Sequence, residues 1–240
     1  MNNNKHVAYY NSSDTFYEAV ASHFIKRLQT KIADLSPIRR VNVAISGGST
    51  PLAIWERIRR QYLDAVDWQQ VNIFWVDERY VSLKDKQSNY YHAHHLLYQY
   101  TTANLFPYPV NLPLHQAASN YEQILQKHVP ITSNHLPSFD LIWLGMGADG
   151  HIASLFPTCP DALKEQRRWV IGMEVPGIGP RLSLTLPVLG AAKERMWVIG
   201  GQQKIALLEN APHRKPPKYP VDFLLQNFSL ENEYFFLCNE

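Results

Sequence analysis

Four stretches of this 240-residue chain carry side chains able to do chemistry, and the richest is "GMGADGHIASLFP", Gly145 to Pro157. It sets Asp149 two residues before His151. An imidazole with an unperturbed pKa of about 6.5 is the side chain best suited to take a proton from water at neutral pH. The same stretch spells G-x-G-x-x-G from Gly145, the spacing of a dinucleotide-binding turn. Such a turn requires an uninterrupted helix after Gly150 and an acidic residue ending the next strand. Glu174 meets the second condition weakly, but Pro157 and Pro160 break the segment after barely two turns, which disfavours a nicotinamide dehydrogenase. A histidine opening so short a helix has its charged form disfavoured by the helix dipole, which keeps it available as a base. His151 therefore reads as a general base or, as for an arbitrary histidine, as a structural residue of the turn.

The other three stretches offer groups for an anion. "SGGSTP" places Gly47 and Gly48 before a helix that Ser49 or Thr50 could cap, and exposed amides at a helix N-terminus attract anions. It lacks the G-x-x-x-x-G-K of a nucleoside-triphosphate loop. "DERY" sets Asp77, Glu78 and Arg79 at the end of an apolar run. Arg79 could make forked hydrogen bonds to a phosphate or carboxylate, and Asp77 could bind sugar hydroxyls or orient the arginine. After Gly200 and Gly201 comes Lys204, in the first turn of a helix, where a cation opposes the dipole unless an anion is near. Arg181, before "LSLTLP", is a second basic group. "YHAHH" (His92, His94, His95) has mixed spacing and no nearby carboxylate or cysteine, so it reads as surface decoration and no metal site is expected.

These residues need a frame. Phe16, Ala19, Val20, Phe24, Leu28 and Ile32 recur at helical spacing, with Asp14 suited to the N-cap. "VNVAI", "VNIFWV", "FDLIWL", "RWVIGM", "RLSLTL", "MWVIGG" and "EYFFLC" read as strands. "PLAIWERIRRQYL", "SNYYHAHHLLYQY", "NYEQILQKHV" and "QKIALLEN" read as helices between them. Strands apolar throughout, alternating with helices, predict a mainly parallel sheet with helices on both faces. Ligands in such sheets sit at the carboxyl ends of the strands, where the four stretches lie. Without a repeat or an obvious linker, residues 1–240 are expected to form one domain. "APHRKPPKYP", Ala211 to Pro220, reads as a loop.

Composition narrows the function classes. At 45% hydrophobic and 18% charged residues the chain is an ordinary folded protein. With 23 Lys and Arg against 21 Asp and Glu, scattered along the chain, there is no basic stripe for a nucleic acid. No segment approaches the roughly 20 apolar residues of a membrane span, and Cys159 and Cys238 are too few for a disulfide framework. A cytoplasmic protein with reduced thiols is expected.

Taken together, "SGGSTP", "DERYV" followed by Ser88-Asn89-Tyr90, "GMGADGHIASLFP", "RLSLTLPVLGAA" and "GGQQK" resemble, in order and spacing, the successive signatures of the 6-phosphogluconolactonase family. The resemblance runs from about Val41 to Leu225. It implies hydrolysis of 6-phospho-D-glucono-1,5-lactone to 6-phosphogluconate in the oxidative pentose phosphate pathway, without metal or organic cofactor. It also implies a fold shared with glucosamine-6-phosphate deaminase and ribose-5-phosphate isomerase. By motif, His151 would be the base that activates water, with Asp149 beside it. Arg79 and Lys204 would hold the phosphate together with the amides of Gly47, Gly48, Ser49 and Thr50, and Asp77, Asn89 and Arg181 would contact substrate. Ala148 and Ile152 stand where the family commonly has proline and threonine, and neither change removes a reacting group.

Two alternatives remain. The glucosamine-6-phosphate deaminases share DGHIA, but the glutamate of their histidine relay falls at Phe156, and Arg79 replaces the tyrosine usual after their Asp-Glu pair. A non-catalytic sugar-phosphate sensor would need the anion clamp but not the base at His151.

Overall fold

The computed structural model describes residues 4–36, 39–228 and 232–240. The first half runs β1 (Asn4–Tyr10), α1 (Ser13–Ala33), β2 (Val41–Ile45), α2 (Ser49–Gln61), β3 (Val71–Trp75), β4 (Asp77–Arg79), α3 (Asn89–Leu96), β5 (Asn104–Phe106) and α4 (Leu114–His128). The second runs β6 (Leu141–Leu144), α5 (Pro160–Lys164), β7 (Val170–Val175), β8 (Gly179–Leu184), α6 (Leu186–Gly190), β9 (Glu194–Gly200), α7 (Gln202–Asn210), α8 (Pro220–Asn227) and β10 (Asn232–Cys238).

Seven strands form one sheet in the order β1-β10-β9-β6-β2-β3-β5, every neighbouring pair parallel. β2, β3 and β6 are buried at every residue, so both faces of the sheet's middle are covered, as continuous apolar strands require. From β2 the chain moves to β3 on one side, and from β6 it reaches β9 on the other. The order therefore reverses between β2 and β6, and a crevice opens at their carboxyl ends. Ser46 joins the two ends: its hydroxyl donates to the Trp143 carbonyl at 3.0 Å and accepts from the Gly145 N–H at 3.4 Å. Below, Trp143 packs on Trp55 and Phe24, with ring centroids 4.4 and 5.4 Å apart.

The expected parallel sheet is present, but two of its expected strands lie elsewhere. β7 and β8 pair antiparallel with each other, and β8 with β4, in a separate three-stranded sheet. Their apolar runs look like those of parallel strands. What turns them back is the link between them, where Gly177 and Gly179 take φ of +74° and +97°, a region open to glycine at little cost. β1 is an edge strand that leaves Val7 and Tyr9 about half exposed. Asp14 is not a cap: Ser12 holds that position, and Asp14 in the first turn pairs with Arg57. Among the described residues no helix is long and apolar enough to cross a membrane.

One helix–sheet contact gives the fold a pH dependence. His23 of α1 packs against Tyr234 and Phe236 of β10, ring centroids 4.4 and 5.1 Å away, and among the described residues its buried Nε2 has no hydrogen-bond partner. Burial, reinforced by the Arg27 charge, pushes its pKa from 6.5 down to about 4. The fold therefore favours the neutral ring, and that stabilisation is present above pH 6.5 and lost as pH falls toward 4. In urea unfolding the wild type should lose about 2 kcal/mol relative to His23→Leu across this window, allowing for the ring's partial exposure. His23→Leu should remove that part of the slope.

Candidate active site

The loop after β6 is shaped by its glycines. The Gly147 N–H donates to the His151 carbonyl at 2.9 Å, the Gly150 N–H donates to the Gly147 carbonyl at 3.0 Å, and Gly150 sits at φ +76°. A Cβ at Gly147 would stand 2.2 Å from the imidazole. The Asp149 Oδ1 lies 2.6 Å from the His151 Nδ1 and accepts from the His151 N–H at 3.3 Å. A carboxylate there fixes Nδ1 as the proton-bearing nitrogen and leaves Nε2 free to accept. The ring is about one-third exposed, and Phe156 covers it with centroids 4.3 Å apart. No helix starts at His151, because the next one is α5 at Pro160. The expected dipole effect on the imidazole is absent, and the Asp149 carboxylate governs the ring instead. The same lack of a helix removes the N-terminus on which a dinucleotide pyrophosphate would sit.

Across the crevice, α2 begins directly after Gly48, which takes φ +107° at the N-cap, so Ser49 and Thr50 lie in the first turn and neither caps it. A Cβ at Gly47 would stand 1.9 Å from the Asn89 Oδ1. Asn89 is held in turn by Asp77, donating from Nδ2 to its carbonyl at 3.0 Å and to Oδ1 at 3.3 Å. The Asp77 Oδ2 accepts from the Ser154 hydroxyl at 2.6 Å, and burial pushes this carboxyl's pKa up.

Glu78, a member of the charged triplet, holds the cluster together. It accepts from the N–H groups of Arg79, Asn89 and Tyr90 at 2.8, 2.7 and 2.9 Å and from the Ser88 hydroxyl at 2.9 Å. Burial raises its pKa to about 7 against the pull of these donors. Arg79 reaches the Gln87 carbonyl at 2.6 Å through Nη1.

A cavity of about 240 Å3 brings Gly47, Gly48, Ser49, Thr50, Asp77, Arg79, Asn89, His151 and Lys204 together at the strand ends. Asp149 stands behind His151. Arg181 does not line this cavity: it lies opposite Arg79 in the β4–β8 register and donates from Nη1 to the Pro180 carbonyl at 2.9 Å. Burial and then the Arg79 charge push its pKa down. Ser46 and Ser154 escaped the sequence reading because short hydroxyl side chains carry no pattern. His92, His94 and His95 do not converge: His92 and His95 contact the Lys86 and Tyr91 carbonyls, and His94 stacks on Tyr90. Among the described residues no group of three metal-ligating side chains occurs.

The cavity thus has a cationic, amide-rich wall and an oriented imidazole at the other side. Gly47→Ala should force Asn89 out of place and weaken binding of inorganic phosphate by about tenfold or more, the equivalent of about 1.4 kcal/mol. Isothermal titration would read this, with circular dichroism reporting an intact fold.

The glucosamine-6-phosphate isomerases/6-phosphogluconolactonase family matches residues 11–231. The chain is 35% identical over 188 residues to 6-phosphogluconolactonase from Synechocystis sp., covering 76% of each protein. It is also 35% identical over 192 residues to the 6-phosphogluconolactonase from Nostoc sp., covering 77% of this chain and 78% of that one. The solved structure of 6-phosphogluconolactonase from Trypanosoma brucei matches with a TM-score of 0.86 at 22% identity, over 99% of this chain and 97% of that one, which is a likeness of fold. By this match across most of the chain and these identities, the chain belongs to the glucosamine-6-phosphate isomerase/6-phosphogluconolactonase family.

Proposed function

We propose that this protein is a 6-phosphogluconolactonase, hydrolysing 6-phospho-D-glucono-1,5-lactone to 6-phospho-D-gluconate in the pentose phosphate pathway. The observation that carries the reading is an imidazole oriented by a carboxylate at 2.6 Å and open to a cavity that also holds Arg79, Lys204 and the N-terminus of α2. Relatives of near-equal length bearing that name support it.

In this reading the substrate phosphate lies against Arg79, Lys204 and the amides of Gly47, Gly48, Ser49 and Thr50. Asp77 and Asn89 meet the sugar hydroxyls, and Arg181 acts from behind Arg79. His151 takes a proton through Nε2 from a water that attacks C1, and Asp149 stabilises the imidazolium so formed. The tetrahedral intermediate collapses by breaking the bond from C1 to the ring oxygen, and the imidazolium returns its proton to that oxygen. A positioned general base contributes about 10²–10⁴-fold, and binding energy from the remote phosphate orients C1. The mechanism calls for no metal or organic cofactor.

Phe156 weighs against amino-sugar isomerisation, because an apolar ring lies against His151 where that chemistry needs an acid partner. A sensor would have no use for a base aligned in this way. We take the whole chain as one catalytic domain, since the cavity draws on residues from Ser46 to Lys204. We place it in the cytoplasm, where thiols such as the free Cys159 and Cys238 stay reduced, with a small-molecule substrate and neither nucleic acid nor membrane as partner.

Lactone loss followed above its spontaneous hydrolysis tests the reading. His151→Ala should lower kcat by about 10²–10⁴-fold, and an unchanged rate would remove His151 as the base. Arg79→Ala should chiefly raise KM, while a loss confined to kcat would contradict its role as an anchor.

A further inference from the structure

The end of the segment from Ala211 to Pro220 packs, through Tyr219, against the loop that carries His151. Tyr219 sits so close to Gly150 that a Cβ there would stand 2.7 Å from the Tyr219 Cβ and 2.9 Å from its Cγ. The Val221 N–H donates to the Gly150 carbonyl at 3.3 Å. Tyr219 is itself fixed. Arg214 and Lys218 lie over its ring, 4.8 and 5.0 Å from the centroid. The fully buried Asp222 accepts from the N–H groups of Lys218 and Tyr219 at 2.9 Å each and pairs with Arg214. Arg214 also donates to the Leu207 carbonyl at 3.3 Å, in the helix whose first turn carries Lys204.

The His151 loop depends on support from outside. It contains no helix or extended strand, and its pivot, Gly150 at φ +76°, has the conformational freedom of a glycine. Within the loop the Gly147–His151 and Gly150–Gly147 backbone hydrogen bonds, the half-exposed Asp149 and the Phe156 ring hold the imidazole, and none of them fixes Gly150 from the other side.

We propose that residues 211–222 brace the base. Tyr219 positions His151 through Gly150, and the Arg214–Asp222 pair ties that loop to the helix bearing Lys204, keeping the two ends of the site at a fixed separation. The proposal rests on His151 being the base of the lactonase reading. Tyr219 and Asp222 are positioning residues, and a base misplaced by about 1 Å costs on the order of 10²-fold in rate. Of the anion clamp, Arg79 on β4 and the amides of Gly47 to Thr50 at the start of α2 lie outside the braced segment, and Tyr219→Ala leaves the Arg214 contact with the Lys204 helix in place, so substrate affinity should survive.

The test compares wild type, Tyr219→Ala and Tyr219→Phe in steady-state lactone hydrolysis and in the NMR signals of the His151 ring without substrate. Among the described residues the Tyr219 hydroxyl makes no hydrogen bond, so Tyr219→Phe keeps the brace. Tyr219→Ala should lose on the order of 10–100-fold in kcat with KM retained and with a broadened or split His151 signal, while Tyr219→Phe behaves as wild type. An unchanged kcat in Tyr219→Ala, or an equal loss in Tyr219→Phe, would overturn the proposal. If the wild type hydrolyses no lactone, the functional reading fails; the NMR comparison still decides, and a single sharp His151 signal in Tyr219→Ala overturns the brace. Should Tyr219→Ala not fold, Asp222→Asn, which loses the Arg214 charge pair but keeps an acceptor for the two N–H groups, should give a smaller kcat loss in the same direction. A wild-type kcat there would overturn it.

Discussion

Glu78 is a buried carboxylate, and a buried carboxylate must find its hydrogen-bond donors inside the protein. The donors it finds come from its own strand and from the start of α3: the N–H groups of Arg79, Asn89 and Tyr90 and the hydroxyl of Ser88. Satisfying one side chain therefore pins α3 to the end of β4. From that junction the site follows. Asn89 reaches Asp77 on one side and fills the space beside Gly47 on the other. Asp77 in turn takes the Ser154 hydroxyl, and the Ser154 N–H donates to Ser183 of β8. The small antiparallel sheet thus reaches across to the loop segment that follows His151, and the polar wall of the cavity forms one connected network.

The central strands were legible because burial on both faces leaves no room for polar alternation, and β2 begins and ends where its apolar run does. β1 hides because an edge strand with one wet face can carry Lys5 and His6 among its apolar residues. β4 hides because three charges in a row look like a solvated turn, although Asp77 and Glu78 are buried. Apolar runs do not state which sheet they join, and those of β7 and β8 look like parallel strands although both belong to the small antiparallel sheet. The residues converging on the cavity were visible as unusual types at strand ends, since chemistry there is constrained by the fold. Distances across the chain were not: Tyr219 meets Gly150, and Arg181 stands behind Arg79, only because of packing that no local pattern encodes.

Phe156 sharpens the division of labour within the family. Its ring packs on His151 at 4.3 Å and is itself almost fully buried. The imidazole thus has a carboxylate at one edge and an apolar cover, which suits a single proton taken from water and given back to a leaving oxygen. A relay through a second acid would need the position that Phe156 fills.

Arg79 and Arg181 face each other across the β4–β8 pair, and like charges directly opposite in a sheet destabilise it. In the lactonase reading a dianionic sugar phosphate at Arg79 would relieve that repulsion, which would link ligand occupancy to folding stability.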